Sequence, residues 1–323
     1  MKTMEAVNKG ISLVLRNAKM IPIIYAINLV LALTVAIPLY STLAKSTNDK
    51  GVREQLRMGF DYTWWSEFYH EAHHIEKTVR PSLTGGFGPL FDNLEILLTG
   101  KVRQFGSWIL LLGVGYLLLT AFLNGGVIGI YADEKRSFTV SRFFSNSGFY
   151  FHHFFALLLT AVLVYFAVYK FLSPAVFGLI DQLSSSWMSQ KSVWYLNLFG
   201  YVILVLVIIF VNMVFDYAKI IVVAEGKASS WLCIWLAVKF IFKHFLGATG
   251  LYFLLAGIAL LLVLVFGFLL NSIHPSGIAT IILVMLFQQT FMLAKIWARL
   301  NFYGGQCVFY TNQPREERRL KKV

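Results

Sequence analysis

Charge is scarce in this 323-residue chain: only 14% of its residues are Asp, Glu, Lys or Arg, while 58% are hydrophobic. A soluble domain carries about 25% charged residues, so an aqueous fold cannot house this composition and lipid must solvate part of it. Cysteine is also scarce. Cys233 and Cys307 are the only two, both in or beside apolar segments, which excludes a disulfide framework and a cysteine zinc site and leaves two buried thiols. No strand pattern of useful length occurs, and hence no Gly-rich loop after a strand, which argues against nucleotide binding. No cofactor is expected.

What the chain has instead is long apolar runs. A helix satisfies its own backbone in lipid and needs about 20 mostly apolar residues to cross. Six stretches qualify, near residues 21–44, 107–131, 154–173, 195–222, 247–272 and 277–300. The fold class read from them is all-α: a polytopic membrane protein whose residues 1–323 form one membrane domain. The first run is too long for a secretory signal and has no convincing cleavage site, so it reads as a retained span.

Lys and Arg set the orientation, because positive flanks stay cytosolic. Lys2, Lys9, Arg16 and Lys19 precede the first span. Lys135, Arg136 and Arg142 lie in 132–153, Lys227, Lys239 and Lys243 in 223–246, and Arg315, Arg318, Arg319, Lys321 and Lys322 in the 311–323 tail. The opposite short connections hold only Lys191. Both termini are therefore expected in the cytosol, and 45–106, with eight basic and eight acidic residues, reads as an extracytoplasmic insertion. The basic tail reads as a topology and lipid-surface feature, so the expected partners are anionic lipid headgroups at the cytosolic face and a possible membrane-protein partner, with no nucleic acid.

The cytosolic segments have the pattern of amphipathic surface helices. In the first, Val7, Ile11, Val14, Leu15 and Ala18 share one face, and Glu5, Lys9, Ser12, Arg16 and Lys19 the other. Such a helix lies in the headgroup layer or packs on the protein's own face. Laying 132–154 on 224–246 at an offset of 92 pairs Ala132, Lys135, Ser137 and His152 with Ala224, Lys227, Ser229 and His244. Asp133 meets Glu225, Phe143 meets Trp235, Tyr150 meets Phe242, and upstream Asn124 meets Asp216. The pattern predicts three units, 1–131, 132–223 and 224–310, each a surface helix followed by a helical hairpin.

The second span ends Gly125-Gly-Val-Ile-Gly-Ile-Tyr131, the fourth Phe215-Asp-Tyr-Ala-Lys-Ile220, and the sixth contains Gln288-Gln-Thr-Phe-Met-Leu-Ala-Lys-Ile-Trp-Ala-Arg-Leu300. These segments resemble a group of bacterial multi-span proteins related to the membrane domain of glycerophosphodiester phosphodiesterases, over most of the chain from about residue 107. The resemblance implies a membrane part without catalysis, since that family keeps its phosphodiester chemistry in a separate soluble domain for which this chain has no room. The insertion beginning Asp61-Tyr-Thr-Trp-Trp looks like a feature of the subgroup without the enzyme.

Two sets of residues are candidates for chemistry. His70-Glu71-Ala72-His73-His74 fits the zincin pattern, in which His70 and His74 one helical turn apart bind zinc, Glu71 is the general base, and Asp92 or Glu95 supplies a third ligand. Against it, Trp64, Trp65, Phe68, Ala72 and Ile75 form an apolar stripe that leaves Glu67, His70, Glu71 and His74 on a wet face, so no metal is expected there. The second set lies within or at the inner ends of the spans: Asn124, Asn212, Asp216, Lys219, Gln288, Gln289, Lys295 and Arg299. Ionisable groups at membrane depth are unfavourable without a role or a partner. Asp216 and Lys219 can pair one turn apart. If Lys295 or Arg299 faces Asp216, they form an interhelical hub for an anionic headgroup or solute. Lys170, just before Pro174, reads as a snorkelling anchor near the outer end of the third span, and His152, His153 and His244 as interfacial anchors.

These residues support a non-catalytic membrane protein that organises lipid or a partner complex. The alternatives are a permease for a small or lipidic solute and, further off, a zinc hydrolase.

Overall fold

Each long apolar run folds as a helix, because no other open structure satisfies every backbone N–H and C=O within lipid. The computed structural model describes residues 3–58, 61–72, 76, 107–133, 138–187, 189–226, 229–273 and 277–312. In chain order the helices are α1 (Thr3–Arg16), α2 (Met20–Ser46), α3 (Lys50–Met58), α4 (Tyr62–Glu71), α5 (Ser107–Ala132) and α6 (Val140–Ala167). A π turn (Val168–Leu172) then leads to α7 (Ser173–Ser184), α8 (Gln190–Glu225), α9 (Ser230–Lys243), α10 (Phe245–Ser272) and α11 (Ile278–Thr311). No strand occurs among the described residues. Six helical rods are long and apolar enough to cross a bilayer: α2, α5, α6 with α7, α8, α10 and α11. The protein is an all-α, multi-pass membrane protein.

The rods run further than the apolar runs suggest. The surface helix expected in 132–153 is the first half of α6, continuous with the third span, and the rod extends to Ser184 rather than stopping near 173. Pro174 does not end it, because the wider π turn precedes a proline that has no N–H for the carbonyl of Lys170. Lys170 therefore sits well inside this rod and not near its outer end. The last span likewise continues from 300 to Thr311. The repeat is also displaced. Thr139 and Ser229 occupy equivalent N-caps, their hydroxyls accepting from the N–H groups of Arg142 and Leu232. The surface helices are thus related by an offset of 90, and Ser229 matches Thr139 rather than Ser137.

Packing follows a threefold plan. The returning spans α5, α8 and α11 contact one another, and a surface segment lies against the basic end of each: α6 along α5 and α9 along α8, each following its span in the chain, and α1, from the start of the chain, along α11. The α5–α6 and α1–α11 pairings are the most extensive, while α2 touches α5 only slightly and leans on α11.

Small residues allow the close approaches. A Cβ built on Gly10 would lie 2.6 Å from the backbone N of Gly305, and one built on Gly126 would lie 2.4 Å from Ser147 Oγ. In α1 the buried face is Ala6, Val7, Gly10, Leu13 and Val14, while Leu15 is exposed. The helix is therefore docked on the protein and also turns an apolar edge outward.

The packed core gathers at this basic end. It includes Ile128, Tyr131, Phe143, Tyr217, Ile220, Cys233, Ile241, Tyr303 and Cys307. Toward the far end the rods meet only in pairs, α7 with α8 through Phe177, Ile180 and Gly200 and α10 with α11 through Phe266 and Phe291, and much apolar surface is left outside. Val30, Ile37, Leu111, Leu183, Phe199, Leu261, Phe268 and Ile281 are exposed, and the most apolar stretch of α11 contains no buried residue. Such surface is stable only against lipid tails.

Candidate site at the boundary of the apolar layer

The three central helices place equivalent residues on the faces that look away from their surface helices. On α5 this face carries Thr120, Asn124, Ile128 and Tyr131; on α8, Asn212, Asp216, Ile220 and Val223; on α11, Arg299, Tyr303, Cys307 and Tyr310. Asn124, Ile128, Tyr131, Asp216, Ile220, Tyr303, Cys307 and Tyr310 are buried and Val223 is half-buried, whereas Asn212 and Arg299, one turn above Asp216 and Tyr303, are exposed.

At that transition lies a charged cluster. Lys219 Nζ donates to Asp216 Oδ1 at 3.0 Å, with 17% and 11% of the two side chains exposed. Arg299 Nη2 donates to Tyr303 Oη at 2.9 Å. Both cations also sit over the Tyr303 ring, Arg299 Cζ at 5.1 Å and Lys219 Nζ at 5.8 Å from its centroid, within the range of cation–π attraction. Asp216 and Arg299 are electrostatically coupled to each other and to Tyr165 of α6 and Tyr252 of α10. Four rods thus contribute to one cluster of two cations, one carboxylate and three phenols.

Its depth follows from helix geometry. Tyr165, Tyr252 and Arg299 lie about 20 residues from the far end of their rods, about 30 Å at 1.5 Å per residue, which is the thickness of the hydrocarbon core, while Asp216 lies further along its longer rod, about 39 Å from Gln190. A hydrocarbon core that begins at the far ends of α7, α10 and α11 would end at the level of Tyr165, Tyr252 and Arg299. Deletion of one partner from a buried pair leaves an uncompensated charge and costs about 3–5 kcal/mol, so the Asp216–Lys219 pair is also structural.

The remaining candidates divide. Gln289 accepts from Tyr25 Oη at 2.7 Å and ties α2 to α11. Gln288 and Lys295 are exposed on the same face of α11 as Arg299. Asn124 is buried at the position equivalent to Asp216. Tyr303, Tyr165 and Tyr252 were not singled out in the sequence. The i,i+4 spacing of Arg299 and Tyr303 was the available signal for the first; the other two reach the cluster only through tertiary packing.

The insertion behaves differently. Asp61 caps α4 by accepting from Thr63 N and Trp64 N. Phe68 and Ala72 are buried and Trp64 and Trp65 half-buried, with Glu67, His70 and Glu71 exposed, as the wet-face reading expects. The helical register that would set His70 and His74 a turn apart stops at Glu71, since Ala72 is extended. His74, Asp92 and Glu95 lie outside the described residues. Among the described residues no three His, Cys, Asp or Glu side chains converge as a metal site. Cys233 and Cys307 are both buried, and neither is in a disulfide.

A second polar feature opens at the basic end. Lys9, Ser12, Leu13 and Arg16 of α1, with Val308 and Asn312, line a cleft of about 250 Å³. Lys9 is 2.8 Å from Glu5, and this contact holds the Glu5 carboxyl below its ordinary range. Arg16 is exposed beside the cleft mouth.

Set against models of protein families, curated proteins and solved structures, the chain matches none of them.

Proposed function

We propose that the protein is a non-catalytic, multi-pass protein of a bacterial inner membrane, with α1 and the end of α11 toward the cytosol, that binds and organises anionic lipid on that side. The observation that carries this reading is the cationic excess of the Asp216–Lys219–Arg299 cluster at the level of the headgroups. The Lys- and Arg-rich segments at the same end support the orientation, and the basic cleft beside α1 supports the choice of ligand.

The test is the lipid that co-purifies in mild detergent. Lys219→Gln and Arg299→Gln should each release most of the bound anionic lipid while leaving the zwitterionic lipid content unchanged. Unaltered lipid content in folded variants would overturn the proposal.

One observation favours the permease alternative: Gln288, Lys295 and Arg299 form an exposed column on one face of α11, above the packed floor. Gln288→Leu separates the two readings, since it would abolish flux of a solute in proteoliposomes but leave bound anionic lipid in place.

A further inference from the structure

We infer that the boundary cluster is matched to a ligand with a single negative charge, a phosphodiester lipid without a headgroup cation, and that Asp216 sets this preference. The inference rests on the lipid-binding reading above and specifies its ligand.

The argument is one of charge at a water-poor site. Asp216, Lys219 and Arg299 are mutually coupled across α8 and α11, and together carry one net positive charge. Glu5, Lys9 and Arg16 belong to the cleft around α1, while Lys295 is exposed a turn away from Arg299. An unbalanced charge at the edge of hydrocarbon is costly, so the occupied site favours overall neutrality. A monoanionic phosphodiester achieves that. A zwitterionic lipid brings its own cation and leaves the excess uncancelled. A phosphomonoester carries about −1.5 to −2 near neutral pH and overshoots.

The geometry fits a phosphate at the exposed side of Arg299. Tyr303 engages one guanidinium nitrogen through its hydroxyl, and the planar fork has further N–H donors to offer an anionic oxygen. Lys219 also has donors beyond the one used on Asp216. The phenols of Tyr165 and Tyr252 flank the same carboxylate and guanidinium. Above the cluster Met285, Leu286 and Met292 of α11 are exposed, so acyl chains rising from a phosphate at this level meet apolar surface. A free phosphate shares the headgroup chemistry but gains nothing from that surface.

The experiment measures binding to the detergent-purified full chain by thermal stabilisation, using dioleoyl-phosphatidylglycerol, -phosphatidate and -phosphatidylethanolamine, and inorganic phosphate. The wild type should bind phosphatidylglycerol about tenfold more tightly than either other lipid, the factor expected from one well-formed charge-assisted contact, and inorganic phosphate far more weakly. Asp216→Asn raises the net charge and should move the preference to phosphatidate. Lys219→Met removes one positive charge and should erase discrimination between phosphatidylglycerol and phosphatidylethanolamine. Lys219→Met combined with Asp216→Asn restores the original net charge and should restore the wild-type ranking, which keeps the test decisive if Asp216→Asn alone fails to fold.

The same ranking in Lys219→Met and in the double variant would overturn charge matching while leaving lipid binding intact. Equal binding of inorganic phosphate and phosphatidylglycerol would overturn the lipid assignment. Loss of nothing in Arg299→Gln would overturn the underlying reading itself.

Discussion

The two ends of the bundle share the same rods yet obey different rules. At the basic end, glycines meet backbone at van der Waals limits, aromatic rings interlock, and α1 bridges to the end of α11. At the far end, Gly113, Gly115 and Gly257 have nothing within 4 Å of a built Cβ, and large aliphatic side chains point outward. One region is held by protein packing, and the other is completed by the bilayer. Lipid tails are as apolar as leucine, so hydrophobicity alone cannot draw helices together in the membrane. Small residues and interhelical contacts must do so, and here they cluster where the surface helices dock.

Substitutions of glycine break this contrast most strongly. Gly126→Leu drives a side chain into Ser147 and the Phe143 carbonyl. It should destabilise the protein by roughly 3 kcal/mol or more, read as a large fall in detergent melting temperature. Gly113→Ala, in the same helix but in the open half, should instead raise stability by about 0.5–1 kcal/mol through helix propensity. Equal effects at the two sites would erase the distinction between the halves.

A smaller effect tests the one described hydrogen bond that ties α2 to α11. Tyr25→Phe removes the donor to Gln289 and should cost about 0.6 kcal/mol, the average for interhelical bonds in membranes, measurable by unfolding in mixed micelles. A loss several times larger would show that α2 is held by this bond rather than by lipid.

The smallest effect belongs to the exposed Glu5–Lys9 pair. Because the Glu5 carboxyl is held below its ordinary value, its contribution is fully present above that ordinary value. It is lost as pH falls through the lowered one. Glu5→Gln should therefore differ slightly from wild type at neutral pH and coincide with it in acid. A difference that grows in acid would reverse the sign of this argument.

Much of the fold was legible because apolar length is a strong signal: the six spans stand where the runs lie, with ends that overran at Ser184 and Thr311. Which faces meet was not legible, since α5 and α10 are apolar all round and show no preferred side. The docking face of α1 was only partly legible. Gly10 carries no hydropathy signal, and its contribution is the backbone approach it permits. In the site, Asp216 and Lys219 could be paired from spacing alone, whereas the choice of Arg299 over Lys295, which share a face of α11, depended on the axial level at which α11 meets α8, which sequence does not encode in any local pattern.

The docking of α1 also has a timing consequence. Its partner glycines on α11 lie about 300 residues later in the chain, and at roughly 5–20 residues per second they follow α1 out of the ribosome about 15–60 s later. During that interval α1 has no Gly304 or Gly305 to receive it, and an amphipathic helix with exposed apolar residues rests naturally on the membrane surface. The α1–α11 pairing thus forms only when the sixth span is delivered, which makes insertion of α11 the step that completes the packing of the basic end.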